Sequence, residues 1–94
     1  MNMHSPSHPG EVILEDVLSE LEISIAEASR RLGVSRVALS RVLHGHAAMS
    51  PQLALRFEVA GIGNAKLWLD MQAAYDLAHL KEQGLPKVES LLSN

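Results

Sequence analysis

The side chains best suited to chemistry in this 94-residue chain lie between Ser35 and His46. With Arg36 set at zero on an α-helix, Ser40 falls at about 40°, His44 at about 80°, Val37 at about 100° and Arg41 at about 140°. Ala38, Leu39, Val42 and Leu43 fill the opposite arc, about 200–340°. One face is therefore aliphatic. The other carries two guanidinium groups, a hydroxyl, an imidazole and one small apolar side chain. Guanidinium groups match guanine edges and phosphates, serine donates or accepts, and valine can touch a thymine methyl. These are the side-chain types that read a DNA major groove.

Such a face must be held out from a packed body, and the flanking sequence supplies the elements. Ser24-Ile25-Ala26-Glu27 is a capping box, in which the serine accepts from the third amide and Glu27 reaches back. It opens a helix that ends at Gly33. Only Gly33-Val34 separates it from a third helix capped by Ser35 and running to Leu43 or His44, and so short a link forces a steep crossing, as in a helix-turn-helix. Ala28, Leu32, Val34, Leu39 and Val42 are apolar where the two helices must meet, and Ser29 is small where their backbones approach. Before this pair, Val12, Ile13, Val17 and Leu21 recur at helical spacing after Pro9-Gly10, with Leu14 and Leu18 widening the stripe. After it, Ser50-Pro51 starts a fourth helix over 51–60, which Gly61-Ile62-Gly63 breaks. Asn64 caps the longest helix, over 65–82, and Gly84 and Pro86 end it. Leu85, Val88, Leu91 and Leu92 keep helical spacing in a short tail.

No internal repeat or strand-like alternation is present, so the expectation is an all-α chain. It comprises a flexible arm over 1–8, a five-helix domain over 9–83 and a short C-terminal amphipathic helical tail over 84–94. The fifth helix carries two apolar stripes. Trp68, Met71, Tyr75 and Ala78 form one; Leu69, Ala73, Leu77 and Leu80 form the other. One stripe belongs to the core. The second either lies under the folded-back tail or, with Leu77, Leu80, Leu85, Val88, Leu91 and Leu92, forms a homodimer interface.

Net charge is −3, which by itself argues against nucleic acid, but the charges are segregated. Residues 11–27 hold six acids and no base, whereas residues 30–56 hold five arginines and no acid. Arg30, Arg31 and Arg56 are thereby candidates for phosphate contact beside the Arg36 face. The absence of cysteine excludes disulfides and thiol chemistry. His4 and His8, or His44 and His46, have no carboxylate or thiol partners at metal-ligand spacing. No serine sits in a nucleophile elbow and there is no phosphate loop. The expectation is a protein that is not an enzyme, needs no cofactor and binds no metal. There is no secretory signal and no apolar run long enough to span a bilayer, which makes the cytoplasm the default compartment.

Several segments together resemble the HigA/VapI branch of the XRE-type helix-turn-helix proteins. They are His8-Pro9-Gly10-Glu11, Arg30-Arg31-Leu32-Gly33-Val34-Ser35-Arg36, Ser40-Arg41-Val42-Leu43-His44-Gly45 and Ser50-Pro51-Gln52-Leu53-Ala54-Leu55-Arg56. The most specific is Trp68-Leu69-Asp70-Met71-Gln72-Ala73-Ala74-Tyr75-Asp76-Leu77. The resemblance implies a lambda-repressor-like fold and an antitoxin that binds a RelE-like, HigB-type mRNA-cleaving toxin. It also implies a homodimer that represses its own operon at a palindromic double-stranded operator. By similarity, Ser35, Arg36, Val37, Ser40 and Arg41 fall where such proteins read the major groove. Two positions depart from the pattern. Ile25 replaces a glutamine that contacts the DNA backbone, and His46 stands where a lysine or arginine is usual. Two other readings stay open: a stand-alone repressor, and a toxin-binding module that does not read DNA.

Overall fold

A computed structural model describes residues 5–92, and among them all regular structure is helical. The first helix, α1, covers residues 9–21. His8 is its N-cap, its side chain accepting from the Gly10 N–H. Its middle, Ile13–Leu18, is wound as a π-helix, and the Ser19 N–H reaches back to the Leu14 carbonyl. The wider turn places Ile13 and Leu18, five apart, on one buried line. It also rotates the last turn, so that Leu21, expected in the stripe, is 53% exposed. Glu22, at φ 56°, ends the helix.

Helix α2 spans Ile25–Leu32 and α3 spans Arg36–Leu43. Ser24 Oγ accepts from the Glu27 N–H at 3.0 Å, so the serine half of the expected capping box forms. Glu27 does not reach back, because its carboxylate turns along the helix to Arg30 and Arg31. Gly33 takes the left-handed conformation, φ 72°, at the corner between the two helices. Ser29 is buried with its hydroxyl donating to the Ala26 carbonyl, which satisfies the one polar group at the helix crossing.

Helices α4, Pro51–Val59, and α5, Ala65–Gln83, begin at Ser50 and Asn64, each side chain accepting from the third amide beyond it. Trp68 of α5 buries its ring and donates Nε1–H to the Ile62 carbonyl, closing the link between α4 and α5. The core gathers Ile13, Leu39, Leu43, Ala54 and Phe57, all at 1% exposure or less. Ala28 and Leu32 of α2 and Trp68 of α5 join them, so every helix contributes to one centre, on which α3 rests.

Residues 84–92 are not helical, which corrects the expectation of a helical tail. A segment this short forms a stable helix only against a surface it can bury. Within the chain, Leu85 and Val88 are 70% and 77% exposed and Leu91 and Leu92 still more so. At the other end His8, expected in a flexible arm, is only 1% exposed. His4 lies outside the described residues.

Candidate nucleic-acid interface

Helix α3 is held by its buried side, where Leu39, Val42 and Leu43 are 6% exposed or less. Ser35 Oγ accepts from the Ala38 N–H at 2.9 Å and fixes where the helix starts, while its hydroxyl proton can still be donated outward. Arg36, Val37 and Arg41 are exposed, Val37 at 72%. Ser40 is half-buried between them. Ala38, assigned to the aliphatic arc, is exposed as well; it sits at the edge of that arc, beyond the reach of the core.

His44 closes the face. Its Nδ1 lies 2.8 Å from the Ser40 carbonyl, which makes Nδ1 the donor in this contact. Arg41 has a second attachment, since its Nη2 donates to the His46 carbonyl at 3.1 Å. The amides of His46 and Ala47 in turn donate to the Arg41 carbonyl. The loop after α3 is therefore wound back onto the helix, with His46 exposed beside it.

The other arginines separate into two groups. On α2, Glu27 Oε2 lies 2.5 Å from Arg30 Nη2 and 2.6 Å from Arg31 Nε. These two guanidinium groups, Arg30 first, hold the Glu27 carboxyl down to about 2, and the same pairing raises Arg30 above its ordinary value. Both arginine side chains remain more than half exposed, so they can exchange Glu27 for another anion. Arg56 cannot do so freely. Its Nη1 donates to the Leu32 carbonyl at 2.7 Å, with Gly33 O at 3.4 Å, and it thereby caps the C-terminus of α2. Arg56, expected to contact phosphate, thus has one guanidinium nitrogen committed to the end of α2. Ile25, at the start of α2, is half-buried against the core and offers no polar group outward.

Behind the face lies a set of polar contacts that has no signature in residue spacing. His8 Nε2 lies 3.0 Å from the Ala47 carbonyl, and Gln72 Oε1 accepts from the Met49 N–H at 2.7 Å. The only signal for them in the sequence was the presence of both residues in the segments that carry the family resemblance.

No protein-family model matches the chain. It is 39% identical over 90 residues to Virulence-associated protein A' of Dichelobacter nodosus, covering 95% of this chain and 77% of that one. Its structure is similar to that of the antitoxin GraA, with a TM-score of 0.79, 32% identity, and 83% and 84% of the two chains covered. It is also similar to the Pseudomonas aeruginosa antitoxin HigA, solved with the higBA promoter: TM-score 0.78, 30% identity, 93% and 99% covered.

Proposed function

We propose, from the premise that the chain belongs to the HigA/GraA-type family of helix-turn-helix antitoxins, that it represses its own operon and neutralises a co-encoded toxin. The observation that carries the DNA half is the α3 face. Arg36, Val37 and Arg41 project from a helix whose other side is sealed into the core, with His44 at its end. In this reading α3 enters the major groove, Arg36 and Arg41 contact base edges, Ser35 and Ser40 add hydrogen bonds, and Val37 covers a thymine methyl. Arg30 and Arg31 exchange Glu27 for phosphates. His46 contributes a weaker contact from the loop.

A single recognition helix discriminates poorly, so the protein acts as a homodimer on half-sites about 34 Å apart. The second stripe of α5 supports this: Leu77 is 57% and Leu80 47% exposed, and the tail leaves them uncovered. The toxin partner is a small basic protein encoded beside this one. No helix among the described residues is long and apolar enough to cross a membrane.

The test is titration of the DNA upstream of the gene at several salt concentrations. Arg36→Ala and Arg41→Ala each weaken binding to the operator by ~1–3 kcal/mol, whereas Arg30→Ala and Arg31→Ala mainly flatten the salt dependence. Unmutated protein that ignores this DNA would reject the repressor reading. Co-expression with the adjacent reading frame, followed by copurification, tests the toxin partner separately.

A further inference from the structure

The loop after α3 is gripped from two sides by residues far away in sequence. On one side, the His8 ring accepts the Gly10 N–H at Nδ1, 3.0 Å away, so the ring proton sits on Nε2 and is donated to the Ala47 carbonyl. On the other, Gln72 of α5 takes the Met49 N–H at Oε1 and donates Nε2–H to Asp76 Oδ1 at 3.0 Å. His8 and Gln72 are 1% and 6% exposed, so both grips come from side chains held inside the fold. Tyr75, one residue before Asp76, sets its ring edge-on to His8 with centroids 5.0 Å apart and joins the two grips. The stretch Ala47–Met49 is fixed at both ends. It is continuous with His46, whose carbonyl Arg41 holds.

We propose that His8 and Gln72 are positioning residues for DNA reading. They touch no base; they clamp the loop that follows the recognition helix and so set the angle at which α3 presents Arg36 and Arg41. The inference rests on the DNA-binding reading above. Directional contacts to base edges need their donors placed to within about 0.5 Å, whereas flexible cationic side chains find phosphates from many poses. Releasing the clamp therefore lowers affinity for the operator more than affinity for unrelated DNA.

Three variants separate this role from general stability. His8→Asn keeps a good N-cap for α1 but is too short to reach Ala47. Gln72→Leu leaves the Met49 amide without its partner. The double exchange Gln72→Glu with Asp76→Asn restores both bonds, with donor and acceptor reversed between the two side chains. Each is compared with the unmutated protein by titration against the upstream operator and a scrambled duplex, with helix content and melting followed by circular dichroism. His8→Asn and Gln72→Leu should bind the operator about tenfold more weakly, the scale of one lost hydrogen bond. Their affinity for the scrambled duplex should stay within about twofold, since that term is phosphate contact. The double exchange should recover most of the operator affinity. Should Gln72→Leu fail to fold, His8→Asn and the double exchange decide the matter. Equal losses on both duplexes, or an unchanged operator affinity in His8→Asn, overturn the clamp. If the unmutated protein binds neither duplex, the DNA-reading proposal falls and takes the clamp with it.

Discussion

A methyl group at Gly10 would lie 1.9 Å from the Val42 carbonyl oxygen and 2.6 Å from its carbon. The first turn of α1 thus rests directly on the backbone of α3, and no side chain can give way. Gly10→Ala should push the two helices apart and destabilise the protein by about 3 kcal/mol or more, measured by urea unfolding. Gly61→Ala is the control. Gly61 has φ 92° and nothing within 4 Å of an added methyl, so only backbone strain of about 1–2 kcal/mol applies. At this scale the sequence is unevenly legible. Gly10 and His8 were visible as part of a motif, but their purpose depends on Val42 and Ala47, more than thirty residues away. Arg56 shows the same limit. As a sequence it was one more cation in an acid-free run, and only the fold brings the end of α2 to it.

The helix starts were legible because their hydrogen bonds are local. Ser24, Ser35, Ser50 and Asn64 each cap a helix that begins at the next residue. The π-helical turn of α1 was not legible, because it reflects which side chains the core accepts rather than any local preference. Helix α2 carries a charge arrangement with a testable consequence. Glu27 neutralises one unit of the positive charge that Arg30 and Arg31 would otherwise present. Glu27→Gln should strengthen binding to unrelated DNA severalfold at low salt, by about one further counterion released, and steepen the salt slope accordingly. The same substitution has a defined pH signature. The Glu27 carboxyl is held at about 2 against an ordinary 4.5, so whatever stability its pairing gives is fully present above 4.5. It is lost as pH falls through about 2. The melting difference between the two proteins should be constant above pH 5 and shrink between 4.5 and 2. A difference that grows on acidification would contradict the pairing.

Across the whole molecule, the Cα radius of gyration is 16.0 Å, whereas a compact chain of this length would have about 12 Å. The leucines and valine of residues 84–92 find little cover within the chain. Of the stripe Trp68, Met71, Tyr75 and Ala78, expected on α5 from spacing, Trp68 is buried, together with Gln72, which lies in neither stripe. What covers the other stripe was not legible, because a single chain holds no record of the geometry of its partner. Segregated charge bears on the same question. A net charge of −3 opposes DNA unless the basic segment alone faces the duplex, and two copies joined through α5 would present two such segments. Leu77→Glu with Leu80→Glu places like charges on both sides of that contact without touching the buried core. The double variant should elute as a monomer with unchanged helix content, whereas the unmutated protein elutes as a dimer. Its affinity for a single half-site should be retained, and its affinity for the full palindrome should fall by about a hundredfold as the tethered second contact is lost. A double variant that stays dimeric would move the interface away from α5. One that becomes monomeric but keeps full palindrome affinity would show that the two half-sites are read independently.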